Sequence, residues 1–218
     1  AFAAMGGVQA AFLASAGVTA PATSLDGKTG LFQSYFDRTL LAQHKQLLLN
    51  KTDWLFTQTA IKLYPCCRYS HPYVQAAINL LTKIDVQQIV QITIGVNRTA
   101  NVLCEPLIAR CRPTTLQDAK FSIPFLVAFT LLQGEVHLNN LTVAVLQDER
   151  VIALTQKIQI AVTQGDAAGI PIGDITIKTA TGTIREQVRL QPTAIEEEVK
   201  TKFISCCRFA SIENPLKL

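Results

Sequence analysis

The densest run of reactive side chains is Lys62-Leu63-Tyr64-Pro65-Cys66-Cys67-Arg68-Tyr69-Ser70-His71. Two cations and a histidine fall within a Pro-containing loop, directly ahead of an expected helix. The free N–H groups at a helix N-terminus attract anions. Lys62, Arg68 and that helix end could therefore hold a carboxylate together. The same residues also have a plain structural reading, in which the two charges are solvated and His71 caps the helix. A second window is Gln117-Asp118-Ala119-Lys120-Phe121-Ser122. Here Asp118 could cap a helix and Ser122 could donate to a ligand oxygen; the alternative is a capped core helix with no ligand. The residue types leave both readings open.

Other chemistries find no motif. There is no G-x-S-x-G nucleophile elbow, no P-loop and no G-x-G-x-x-G dinucleotide fingerprint. His44, His71 and His137 lack metal-ligand spacing. The cysteines, Cys66, Cys67, Cys104, Cys111, Cys206 and Cys207, form no C-x-x-C pair, so no zinc site is expected. Six in 218 residues is too sparse for a disulfide scaffold, and reduced thiols are expected. Three N-x-S/T sequons, at Asn50, Asn97 and Asn140, do not establish secretion, because the frequencies of Asn, Ser and Thr alone would yield about one.

Composition narrows the class further. With 49% hydrophobic and 17% charged residues, the chain is too apolar for intrinsic disorder. Its apolar runs, such as Ile123–Phe129, are far shorter than a membrane span. The net charge of +4 comes from scattered basic residues, which disfavours a nucleic-acid stripe and is compatible with a small anionic substrate.

The elements that must position these residues follow from periodicity. Residues 1–17 read as a small-residue helix, expected to be buried, with Gly17 as its stop. The run imitates a signal peptide but has no basic n-region. An apolar helix at residue one, with no initiator Met, suggests a chain that begins in the middle of a domain. Residues 18–30 read as a loop, 31–49 as helical, and 52–59 as a short helix. Ser70 or His71 caps the next helix and Pro72 sits in its first turn. Val74, Ala77, Ile78 and Leu81 then form one apolar face. Residues 86–96 read as a strand. Residues 117–132 read as a helix that Pro124 restricts or kinks, and 148–154 as a short helix. Strands are expected at 157–162, 172–178 and 183–190, with Thr181-Gly182 as a hairpin turn. A helix at 194–210 carries Glu196–Glu198 in its first turns. The order predicts an α+β architecture: the tail of a helical domain (1–58), an inserted α/β lid domain (59–192), and a returning C-terminal helix (193–218).

These windows, in this order, resemble the MmgE/PrpD family, which includes 2-methylcitrate dehydratase, cis-aconitate decarboxylase and iminodisuccinate epimerase. The resemblance rests on four stretches. The first is Ala4-Met5-Gly6-Gly7-Val8-Gln9-Ala10-Ala11-Phe12-Leu13-Ala14 with Leu25-Asp26-Gly27 and Gly30. The second is Ile61-Lys62-Leu63-Tyr64-Pro65-Cys66 closing with Ser70-His71-Pro72. The third is Asp118-Ala119-Lys120-Phe121-Ser122-Ile123-Pro124 followed by Gly134. The fourth is Asp148–Leu154 with its hairpin. Lys202-Phe203 looks like the family's pair on the returning helix.

The resemblance implies a cofactor-independent, metal-free lyase acting on a small di- or tricarboxylate, with the site between two domains. It implies Lys62 as a carboxylate ligand, with Arg68 beside it and Ser122 as a further substrate contact. It implies His71 as a pocket, acid/base or capping residue, and places Ser122 and Asp118 near the domain interface. A homodimer in the cytoplasm, or in mitochondria if the source is eukaryotic, is implied as well, with no nucleic acid or membrane partner. The family's acid/base histidine and aspartate cluster belongs to an N-terminal half that this chain lacks, so the 218 residues alone are expected to be catalytically silent. The loop after Gln191 lacks a glycine often seen in the family. Two competing expectations are a secreted binding module and a non-catalytic relative that acts as a dimerisation partner.

Overall fold

The computed structural model describes residues 2–36, 42–50, 59–162, 171–190 and 195–212. The expected helix at 52–59 falls almost entirely outside them. The chain divides into two units, 1–58 and 59–218.

The first unit holds α1 (Phe2–Ser15), α2 (Leu31–Phe36) and α3 (Ala42–Leu49). Gly17, at φ +89°, ends α1 as expected. Its N–H donates to Ala14 O and that of Val18 to Leu13 O, both at 3.0 Å, the paired bonds of a Schellman stop. The expected burial of this helix is overturned. None of its residues is buried, and Phe2 and Phe12 are 86% and 71% exposed. A helix apolar on every side needs cover on every side. Among the described residues of this unit only Gly30 is buried, so there is no core for α1 to join.

The second unit is α+β, a mixed sheet with helices on one face. Its strands are β1 (Ile89–Val96), β2 (Ile158–Val162), β3 (Gly173–Thr179) and β4 (Thr183–Val188), in the spatial order β2-β1-β3-β4. β1 runs parallel to β2 and antiparallel to β3, and β3 pairs antiparallel with β4. Strand periodicity decides which face is buried. Ile92, Ile94, Ile175, Ile177 and Ile158 share the covered face and are buried. Thr93, Gln159, Thr176 and Arg185 share the other face, which stays open.

The covering layer consists of α4 (His71–Leu81), α8 (Ile123–Gln133) and α9 (Glu149–Thr155). α4 packs on β3, β4 and α8. Its buried face is Tyr73, Val74, Ala76, Ala77 and Leu80, while Ile78 and Leu81 pack at its margin. Nine consecutive residues of α8, Ile123 to Leu131, are buried, so it is enclosed on all sides rather than amphipathic. The short helices α5 (Arg98–Asn101), α6 (Leu107–Cys111) and α7 (Leu116–Lys120) link the sheet to α8, and α10 (Glu196–Phe209) closes the described chain.

Three local expectations change in detail. The single helix at 117–132 is two helices, α7 and α8, broken at Phe121-Ser122. Pro124 lies in the first turn of α8, where its missing N–H costs nothing. Ser70 is the N-cap of α4, but its side chain makes no capping bond; a 3-10 turn, Arg68–Ser70, leads directly into the helix. The strand expected from residue 86 begins at Ile89, because Val86–Gln88 form a 3-10 turn capped by Asp85. The expected hairpin is observed, with its turn at 180–182, and the helix expected over 194–210 runs from Glu196 to Phe209, with residue 194 outside the described residues. Among the described residues, no helix is long and apolar enough to cross a membrane.

Candidate functional site

Residues 62–71 form the loop and 3-10 turn that lead into α4. Tyr64 hangs from this loop over the first turn of the helix. Its ring stands edge-on to that of His71, with centroids 5.1 Å apart. Its hydroxyl donates to Gln75 Oε1 at 2.6 Å, one turn further along α4. Burial, with Glu198 nearby, pushes the Tyr64 phenol up to about 12, so it remains a donor at neutral pH.

His71 is fully buried. Burial first, then the charge of Arg68, push its pKa down to about 4; the Cys66 carbonyl pulls the other way, and Lys62 and the Tyr64 carbonyl act less, in opposite directions. The imidazole is therefore neutral near pH 7. Arg68 Nη1 lies 3.5 Å from Nδ1. Nε2 has no hydrogen-bond partner of acceptable geometry among the described residues, and the same holds for the buried Ser70 Oγ beside it. His71 is thus a neutral N–H donor beneath the loop rather than an exposed acid. Its cysteine neighbour is inert as well: burial pushes the Cys66 thiol up to about 12, which removes the thiolate a nucleophile needs.

Lys62 is exposed at the loop's outer end, and its carbonyl accepts from Lys202 Nζ of α10. That bond ties the loop to a helix 140 residues away. Between them lies a cleft of about 450 Å³, lined by Leu63, Tyr64, Pro65 and Gln75 on one side and by Glu197, Glu198, Thr201, Lys202, Ser205 and Cys206 of α10 on the other. His137 and Leu138 close one end, and His137 Nε2 lies 3.0 Å from Glu135 Oε2. Glu198 Oε2 accepts from the N–H of Ile195 at 2.9 Å, which fixes the start of α10. Glu197, Glu198 and Lys202 bring charge to the cleft from α10, while Lys62, Arg68 and His71 are not among its lining residues.

The structure joins the two windows that the sequence singled out. The N–H of Cys67 donates to Lys120 O at 2.9 Å, so the 62–71 loop rests on the end of α7. Arg68 and His71 meet, and Lys62 is close enough to act on the imidazole. Ser122 is placed differently. It is fully buried, its Oγ accepts from the N–H of Phe125 at 3.1 Å and donates to Arg110 O at 2.5 Å. Its hydroxyl is thereby committed to capping α8. Ser122→Ala should cost about 1–3 kcal/mol, since it removes an N-cap and leaves a carbonyl unsatisfied; urea unfolding against wild type measures it. Asp118 is exposed and accepts from Thr115 Oγ1 at 2.6 Å. Thr115, not Asp118, caps this helix.

Several contributors had no signal in the sequence. Gln75, His137 and the α10 residues come to the cleft through long-range packing. Arg110 is similar: it donates to the carbonyls of Glu105, Phe121 and Val102, each at 3.1 Å, and so ties α6 to the end of α7. Two sequon residues have structural work. Asn97 Oδ1 caps α5, and Asn140 bridges the N–H of His137 and the carbonyl of Glu135. The six cysteines are free, and among the described residues no group of His, Cys, Asp or Glu could hold a metal ion.

No curated protein matches the chain. The family described as the MmgE/PrpD C-terminal domain matches residues 64–210. That stretch includes the Tyr64-to-His71 loop, the whole sheet with its covering helices, and α10. It covers about two thirds of the sequence, and on that match the chain belongs to the MmgE/PrpD family.

Proposed function

We propose that this chain is the substrate-carboxylate-holding portion of a cofactor-independent carbon–oxygen lyase that dehydrates a hydroxy-tricarboxylate such as 2-methylcitrate. One observation carries the reading: Arg68 lies against a neutral, buried imidazole at the head of α4, and the charge of Lys62 is felt there as well. Removing a proton next to a carboxylate builds negative charge on that carboxylate, and a nearby ammonium stabilises it. Lys62 is the exposed cation of the loop and serves as that ligand. Arg68 supports it, and the neutral His71 ring beneath the loop does not compete for the proton.

The acid and base that move protons are supplied by the family's N-terminal histidine and aspartate cluster, which has no counterpart in these residues. The 218-residue chain therefore binds a tricarboxylate without turning it over. Decarboxylation of cis-aconitate and epimerisation build charge on the same kind of carboxylate, and the residues of this loop serve all three reactions alike.

Calorimetric titration of the chain with 2-methylcitrate, beside Lys62→Ala, tests the assignment. Loss of one charge-assisted contact should weaken binding about tenfold or more. In an active full-length parent the same change should lower kcat/KM by a similar factor. Equal affinity in both proteins removes Lys62 from the site, and turnover by the chain alone overturns the assignment of the acid and base elsewhere.

A further inference from the structure

We infer that Glu186 is a positioning residue. Through Asn79 and Gln75 it fixes the direction of the Tyr64 hydroxyl, and with it the kind of ligand group that Tyr64 can bind in the cleft. Glu186 stands on β4 opposite Ile175, which is buried, so it faces the helix layer. A carboxylate on that side of a sheet needs partners. It has two: Lys83 Nζ donates to one oxygen at 2.6 Å and Asn79 Nδ2 to the other at 2.9 Å. Asn79 lies one turn beyond Gln75 on α4, and Gln75 Nε2 donates to Asn79 Oδ1 at 3.0 Å. Gln75 Oε1 in turn accepts from the Tyr64 hydroxyl at 2.6 Å. The bonds form one line from the cleft to the far end of the helix.

The line has a polarity, and Glu186 sets it. An ionised carboxylate only accepts and an ammonium only donates. Lys83 and Asn79 hold the Glu186 carboxyl below the ordinary range, so it is ionised at neutral pH. Asn79 must therefore turn its amide NH2 to Glu186 and its carbonyl to Gln75. Gln75 must turn its NH2 to Asn79 and its carbonyl to Tyr64. Tyr64 is left to donate along the line, and its oxygen presents only lone pairs to the cleft that it lines. Gln75, Asn79 and Glu186 are all half-buried, so water competes weakly for these bonds and each bond polarises the next.

A ligand group set against Tyr64 must then itself be a donor, as a hydroxyl or an ammonium is. A carboxylate oxygen there would meet lone pairs, and Glu198, whose charge reaches the phenol, adds to the repulsion. For the tricarboxylate proposed above, Tyr64 takes the hydroxyl, and the carboxylates are left to Lys62 and Arg68. That last step rests on the proposed reaction; the polarity of the line does not.

Glu186→Gln tests this with a nearly isosteric change. Lys83 can only donate, so the new carbonyl turns to Lys83 and the new NH2 to Asn79. Asn79 and then Gln75 must reverse, and Tyr64 becomes an acceptor with its proton turned into the cleft. The intensity ratio of the tyrosine Fermi doublet in the Raman spectrum separates a donating phenol from an accepting one. It is read on ligand-free protein at neutral pH, as the difference from the same protein carrying Tyr64→Phe. It should lie on the donor side in wild type and cross to the acceptor side in Glu186→Gln. Adding Lys83→Met to Glu186→Gln frees the amide to accept from Asn79 and should restore the wild-type ratio, which a mere loss of packing would not do. In calorimetry, wild type should bind 2-methylcitrate about tenfold more tightly than the same tricarboxylate without its hydroxyl. Tyr64→Phe and Glu186→Gln should each lose most of that preference. A ratio that stays on the donor side in Glu186→Gln overturns the inference, as does an acceptor ratio that persists in the double variant. Equal affinity of wild type for the two acids overturns the assignment of Tyr64 to the hydroxyl. Binding of neither acid defeats the proposed reaction instead, and the Raman ratio still decides the polarity.

Discussion

Gly173→Ala should lower the unfolding free energy by about 3 kcal/mol, the largest effect expected of any single methyl in this protein. Gly173 opens β3 where the strand passes under the first turn of α4. A Cβ there would stand 2.1 Å from Pro72 O, 2.3 Å from its carbonyl carbon and 2.8 Å from Tyr73 N. All three are backbone atoms, so no rotamer can relieve the clash; either the strand or the helix start must move. The reason is space and not conformation, since Gly173 is not among the glycines with positive φ. Moving the helix start also shifts His71 and the loop that carries Arg68 and Lys62, so the tricarboxylate binding proposed above should weaken together with stability. Urea unfolding checks the first effect and calorimetry the second. Gly182→Ala is the control: nothing lies within 4 Å of its Cβ, and it should stay within about 0.5 kcal/mol of wild type. Equal stabilities for the two variants would show that β3 and α4 do not approach as described.

Stability should also fall by about 3 kcal/mol as the pH drops from 6.5 toward 4, owing to one residue. His71 is held near 4 in the native protein by burial and by the charges of Arg68 and Lys62, whereas an unfolded chain titrates it near 6.5. Between those values the native state binds fewer protons than the unfolded state, so stability rises with pH across the window. The contribution is complete above 6.5 and is lost as the pH falls through the folded value. The carboxylates held down by cationic partners, Glu186 by Lys83 with Asn79 and Asp174 by Arg185, lose their contributions only below the ordinary carboxylate range. The upper part of the window is therefore diagnostic of His71. His71→Gln, neutral at every pH, should flatten the slope between pH 6.5 and 4.5 in a series of urea midpoints. A slope that survives this change would mean that the imidazole is solvated and that the first turn of α4 is not closed over it.

Both predictions bear on one junction, and the sequence disclosed only half of it. Pro72 in a first turn, the apolar spacing that follows, and the β-branched run ending at Val96 are local signals that carry their own geometry, so α4 and β1 were legible. Pro124, expected to restrict or kink one helix over 117–132, stands in the first turn of a separate α8, and the break ahead of it has no local signal. The break depends on Ser122 finding both Phe125 N and Arg110 O, and Arg110 lies on a different helix. The same residue types that made Ser122 look like a donor to a ligand make it a good cap. Only the position of the Arg110 carbonyl separates those roles.

The sequence by itself determined the α+β class, most element boundaries of the second unit, and the family, because these depend on short-range periodicity, turn chemistry and a linear motif. It also marked the loop from Lys62 to His71 as a place where charge gathers. Tertiary structure alone decided what that charge faces. Lys202 reaches the Lys62 carbonyl, Gln75 receives the Tyr64 hydroxyl, Cys67 rests on Lys120, and Gly173 lets β3 slide beneath the helix start. It also decided that His71 is a neutral donor rather than an exposed acid, and that α1, apolar on every side, stays uncovered among the described residues of its unit. Burial is a property of what packs around a residue, and those neighbours come from distant parts of the chain. A residue's type sets what it can do, while the solvent and charges that the fold leaves around it set which protonation state and which partner it takes.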